Sequence, residues 1–146
     1  MRTSLNFQLT GQRAVVTAGA QGIGLAITEA LLQQGAEVHI CDVDRAALDK
    51  TKAKHPQVHI SHTDVGNEAQ VLAMFSEIQA RWGQLDILVN NAGIAGPTAA
   101  IEDTVLQEWQ QTLDVNLTGA FLCTRSAVPL IKKAKGGSIV NISSAA

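Results

Sequence analysis

Apolar residues along the chain fall into two alternating arrangements. Short continuous runs are separated by stretches in which apolar positions recur every three or four residues. The runs Arg13–Thr17, Glu37–Cys41, Gln57–Ser61, Leu85–Asn90 and Ser138–Ile142 read as strands. Between them, Gly22–Gln34 reads as a helix stopped by Gly35, and Asp44–Lys54 as a polar helix closed by His55-Pro56. Asn67–Trp82 carries Val71, Leu72, Phe75 and Ile78 at helical spacing, with Asn67 as its N-cap. Thr104–Lys133 is a long helical stretch, expected as two helices broken near Val115-Asn116, with Pro129 kinking its end and Gly136-Gly137 terminating it. Four strand–helix units followed by a strand predict an α/β fold with a parallel sheet and right-handed crossovers. Strands as continuously apolar as Ile87-Leu88-Val89 predict a sheet covered on both faces.

Composition narrows the function classes. The chain has 146 residues, 46% hydrophobic and 16% charged, so residues 1–146 read as one domain with a sizeable core. A net charge of −2 leaves no basic footprint for nucleic acid. No run of 18 apolar residues could span a membrane. The segment Met1–Phe7 lacks an apolar signal core. Cys41 and Cys123 read as buried free thiols of a cytoplasmic protein, and His39, His55, His59 and His62 lack metal-ligand spacing. The expected partner is a small molecule, and no metal is expected. Tyrosine is absent from the chain.

The chemistry concentrates after the first strand, in Thr17-Ala18-Gly19-Ala20-Gln21-Gly22-Ile23-Gly24. Strand, glycine turn and helix in that order make a phosphate cradle. Glycines let the backbone approach a pyrophosphate, and the helix N-terminus offers free N–H groups and a positive dipole end. Asp42, 18 positions beyond Gly24 at the end of the second strand, suits the hydroxyls of an adenosine ribose. It also repels a 2′-phosphate: like charges about 4 Å apart cost roughly 1 kcal/mol in water and about 4 kcal/mol at an effective dielectric near 20. The expected cofactor is NAD rather than NADP. Arg45 is the opposing feature, since an arginine here could accommodate the phosphate; Gln21 adds no positive charge.

Five motifs then occur in order: Thr17–Gly24, Asp64-Val65, Asn90-Asn91-Ala92-Gly93, Asn116 within Asp114–Gly119, and Ser138–Ser144. Over nearly the whole chain this resembles the short-chain dehydrogenase/reductase family. The resemblance implies a Rossmann-like doubly wound sheet of strand order 3-2-1-4-5. It implies cofactor contacts at Gly19, Gln21, Gly22, Ile23 and Gly24, an adenine contact at Asp64 with Val65 beside the ring, and a cofactor-lining segment at Asn91 and Gly93. Asp64 could instead cap the following helix, a role for which Asn67 competes, and two asparagines after a strand could be only a turn. Asn116 matches an asparagine near the family's active site. Ser144 matches its catalytic serine, and Ser143 points to the other side of the strand end. The family's usual glycine after the threonine is Ala18 here. If the turn needs a positive φ, Gly19 is expected to supply it, because alanine would be strained there.

The family's acid/base tyrosine lies about a dozen residues past the serine, with a lysine four further on, and neither is present in this sequence. The fold is therefore expected to be cut short after strand five, with the helices covering strands four and five on one face missing and the 146-residue chain inactive alone. The resemblance implies a parent enzyme that interconverts a secondary alcohol and a ketone by NAD(H)-dependent hydride transfer, as a homotetramer or dimer. A non-catalytic NAD-binding regulatory module is the alternative.

Overall fold

The computed structural model describes residues 7–144; residues 1–6, on which most of the signal-segment reading rests, lie outside that range. Five strands, β1 (Arg13–Thr17), β2 (Glu37–Asp42), β3 (His59–His62), β4 (Ile87–Asn90) and β5 (Ser138–Asn141), form one sheet in the order β3-β2-β1-β4-β5. Every neighbouring pair is parallel, with Val15 opposite His39 and Leu88, and Asn90 opposite Asn141. The order is the one expected from the sequence.

Helices α1 (Gly22–Gln33) and α2 (Arg45–Lys54) cover one face. There Ile27, Leu31 and Leu48 pack on Ala14, Val16, Val38, Ile40 and Val89. Helices α3 (Glu68–Trp82) and α5 (Gly119–Lys133) cover the other, where Val71, Met74, Ile78, Leu122 and Leu130 pack on Val15, Cys41 and Leu88. Alternate residues of β1 thus serve opposite cores, as period two requires. Asp44 and Asn67 cap α2 and α3 by accepting from the backbone N–H groups of Ala47 (3.0 Å) and Gln70 (3.1 Å). At the sheet edge β5 is exposed throughout, with Ile139, Val140 and Ile142 38–44% accessible.

Several boundaries move inward for local reasons. β3 starts at His59 because the Val58 N–H closes a turn onto the His55 carbonyl (3.0 Å). β4 starts at Ile87 because the Leu85 N–H bonds Leu130 on α5 instead of a strand. The expected break at Val115-Asn116 is not a break. After α4 (Leu106–Leu113), residues Asp114–Thr118 form a π-helical turn that keeps helical dihedrals into α5. Pro129 sits inside α5, which continues to Lys133.

Candidate functional site

The turn between β1 and α1 is built from threonines as much as from glycines. The Thr17 hydroxyl accepts from the N–H groups of Asn91 and Ala92, both at 2.9 Å, tying the turn to the loop after β4. The Thr28 hydroxyl lies 3.1 Å from the Gly19 carbonyl and 2.9 Å from that of Gly24. Thr51 of α2 donates to the Ala20 carbonyl at 3.1 Å. The Asn91 amide donates to the carbonyls of Thr17 (3.1 Å) and Ala18 (3.2 Å). Four consecutive carbonyls, Thr17 to Ala20, are held this way by side chains of the core.

Each glycine has a separate reason to be one. A Cβ on Gly24 would lie 1.9 Å from the Ala18 carbonyl oxygen and 2.6 Å from the Asn91 amide. A Cβ on Gly19 would lie 2.7 Å from the Ile40 side chain. Gly22, at φ +53°, borders open space, which is the room a close-lying anion would need. The positive φ expected at Gly19 is found at Ala18 instead, at +49°. Gly19 is required for packing, and alanine carries the left-handed position. Gln21 precedes α1 without capping it, and the first turn holds no acidic residue. Its amide donates instead to Asp44 at 3.3 Å. A helix start of this kind, beside an open glycine, suits an anion. Ile23 is exposed next to it.

Beside the turn, a cavity of about 180 Å³ is lined by Ala18, Asp42, Asp64, Val65, Gly93 and Ile94, among others. Four separate loops at the carboxyl ends of β1 to β4 meet there. Asp42 is only 6% exposed. One of its oxygens accepts from the Ala20 N–H (3.3 Å) and the other from the Asp44 N–H (3.1 Å). Asp64 does not cap α3. It accepts from the Gly66 N–H at 2.8 Å in a turn of its own. Val65 is buried against α5, where Gly119 leaves no room for a side chain: a Cβ there would meet Val65 at 2.6 Å.

A larger cleft of about 750 Å³ opens between α5 and the ends of β4 and β5. Its polar lining includes Asn90, Asn116, Asn141 and Ser143, and Phe121 and Ile142 are among its apolar walls. Asn116 lies in the π turn and pairs both ways with Ile94, accepting from its N–H (2.8 Å) and donating to its carbonyl (2.9 Å). The π turn therefore aims one amide at the loop that closes the smaller cavity. Asn90 donates to Thr124 (3.0 Å) and Asn141 (2.8 Å), and its buried Oδ1 has no hydrogen-bond partner among the described residues. Ser144 lies beyond β5, exposed; Ser143 is the serine that lines the cleft.

The structure thus gathers Asp42, Asp64, Val65 and Gly93 around one cavity, which the glycine turn reaches through Ala18 and not through Gly19–Gly24, and it puts Asn116 in the lining of the larger cleft. Sequence reasoning missed Thr28 and Thr51, and it named Thr17 and Asn90 only as members of their motifs, with no role of their own. The one signal for Thr28 and Thr51 is polarity at positions where the period demands an inward side chain. Cys41 and Cys123 are buried free thiols, and burial pushes Cys123 up to about 12 and Cys41 further in the same direction. Among the described residues no group of three His, Cys, Asp or Glu could hold a metal, and no helix is long and apolar enough to cross a membrane.

The short chain dehydrogenase family model matches residues 12–146. The chain is 36% identical over 141 residues to L-fucose dehydrogenase of Bos taurus, covering 97% of this chain and 52% of that protein. It is 35% identical over 136 residues to 2-dehydro-3-deoxy-L-rhamnonate dehydrogenase (NAD(+)) of a Sphingomonas strain, covering 93% and 55%. The solved structure of a short-chain dehydrogenase from Novosphingobium aromaticivorans superposes with a TM-score of 0.86 at 32% identity, covering 94% of this chain and 54% of that one. The chain spans about half the length of the curated relatives it matches. With the family model matching residues 12–146 and relatives above 30% identity over nearly all its length, this chain belongs to the short-chain dehydrogenase family.

Proposed function

We propose that this chain binds NAD(H) and serves an oxidoreductase that interconverts a secondary alcohol and a carbonyl compound. The observation that carries the reading is the convergence of Ala18, Asp42, Asp64, Val65 and Gly93 on one cavity beside an uncapped helix start. The residues present fit a dinucleotide. Gly22 leaves open space over the turn, the first N–H groups of α1 suit a pyrophosphate, and Asp42 offers a fixed carboxylate for ribose hydroxyls. The nicotinamide, when bound, supplies the hydride. Asn116 fixes the backbone of Ile94 at the rim, and the role of holding the substrate oxygen goes to Ser144 on its match to the family's serine alone, since Ser143 is the serine that lines the cleft. Asp42 favours NAD over its 2′-phosphorylated form, and one relative carries NAD(+) in its name. Exposed Trp109, Leu117 and Phe121 along α4 to α5 support self-association of the protein. Calorimetric titration of the purified full chain tests the reading. NAD is expected to bind more tightly than NADP, and failure of both to bind would overturn it.

A further inference from the structure

Thr51 stands apart from the rest of its helix. Helix α2 is polar, and its buried residues are Leu48 and Thr51. Leu48 packs into the apolar core on that face of the sheet. A helical threonine ordinarily bonds the carbonyl four residues back. Thr51 donates instead to the Ala20 carbonyl at 3.1 Å, 31 positions earlier in the glycine turn. Ala20 is buried, and its N–H is held as well, by Asp42 at 3.3 Å. The peptide between Ala20 and Gln21 is trans, so its N–H points opposite to its carbonyl. With the carbonyl drawn toward buried Thr51, the Gln21 N–H points away from α2. Gln21 is exposed there, beside the open space over Gly22 where α1 begins.

Resting on the cofactor reading above, we propose that Thr51 is a positioning residue of the dinucleotide site. By holding the Ala20 carbonyl it aims the Gln21 N–H at the pyrophosphate, ahead of the free N–H groups of α1. The neighbouring peptides of the turn are held too, but their N–H groups serve the protein. Asn91 holds the Ala18 carbonyl, and the next N–H, of Gly19, donates to the Cys41 carbonyl at 3.0 Å. Thr28 lies against the Gly19 carbonyl, and the next N–H, of Ala20, donates to Asp42. The peptide held by Thr51 is the one that carries its N–H to the open side. Without the hydroxyl that peptide rotates, and affinity falls with the fraction of chains in which the N–H is aligned. One hydrogen bond of ordinary net strength corresponds to about three- to tenfold.

Thr51→Val removes the hydroxyl and keeps the shape, whereas Thr51→Ser keeps the hydroxyl. In the full chain, NAD and adenosine would be titrated by calorimetry, with urea unfolding alongside. Adenosine has no phosphate and does not feel the Gln21 N–H. The NAD/adenosine affinity ratio is expected to fall about three- to tenfold in T51V and to stay within about twofold of the parent in T51S. General loosening of the fold weakens both ligands alike and leaves the ratio unmoved. Should T51V fail to fold, Thr51→Ala, a better helix former, carries the same expectation. An unchanged ratio in the folded variant, even with a lower unfolding midpoint, overturns the proposal while leaving NAD binding intact. An equal fall in T51S overturns the role of the hydroxyl. Absence of NAD binding by the unsubstituted chain overturns the cofactor reading and this one with it.

Discussion

Ala18→Gly should make this protein more stable, although it removes a β-carbon from a half-buried position. Ala18 sits at φ +49° because its carbonyl is held by the Asn91 amide and lies against Gly24. An L-residue with a β-carbon in the left-handed region costs roughly 1–2 kcal/mol. Glycine removes that strain. Against this stands the larger freedom of glycine in the unfolded chain, about 0.4–1 kcal/mol. The balance is a gain of about 0.5–1 kcal/mol, a rise in Tm of about 2–4 °C for a domain of this size. Urea unfolding followed by the fluorescence of Trp82 and Trp109 reads it, with the midpoint rising and the slope unchanged. The sign of the effect is the test. Were Gly19 the strained position, glycine at 18 would add only unfolded-state freedom and lower stability. A midpoint that falls or stays put therefore refutes the account of the turn. Gly19→Ala should lower the midpoint through its contact with Ile40.

Gly24→Ala should cost about 2–3 kcal/mol in the same unfolding measurement, despite a helix-propensity gain of about 1 kcal/mol, because the added carbon displaces the Ala18 carbonyl and the Asn91 amide; an unchanged midpoint would refute this. Stability should also fall on acidification through His39. Burial, with Arg81 beside it, lowers this imidazole to about 3, while it donates to Ser61 (2.8 Å) and accepts from Arg81 (3.0 Å). The folded state holds it neutral and the unfolded state protonates it below the usual 6.5, so its contribution is complete above that value and is lost as pH falls from there toward 3. At pH 5 this amounts to about 2 kcal/mol. His39→Gln should flatten that part of the stability–pH curve, and an equally steep curve in the variant would exclude His39 as the cause.

What was legible in the sequence was whatever the hydrophobic period decides by itself. A strand such as Ala14-Val15-Val16 must be buried on both faces, so its partners and the helices over it follow from the chain order. Asp42 stood out in the sequence as a carboxylate at the end of such a strand, but its burial and its bonds to the Ala20 and Asp44 backbone were not visible there. What was not legible depends on contacts between distant segments. Nothing local marks Ala18 as left-handed; the conformation is imposed by Asn91, 73 positions away, and by the close approach of Gly24. The π turn is similar. Its sequence, Asp114–Thr118, reads as a helix break, yet the extra residue in the turn lets Asn116 face Ile94 without ending the helix. The same holds for Asp44. From the chain alone it reads as the first residue of a polar helix and nothing more. Only the position of Gln21 at 3.3 Å joins it to the glycine turn. The positions that escaped local reading are those at which the glycine turn and the cavity are fixed from elsewhere in the chain. A cavity assembled from four loops has to be specified that way, because no single loop contains the geometry it must hold.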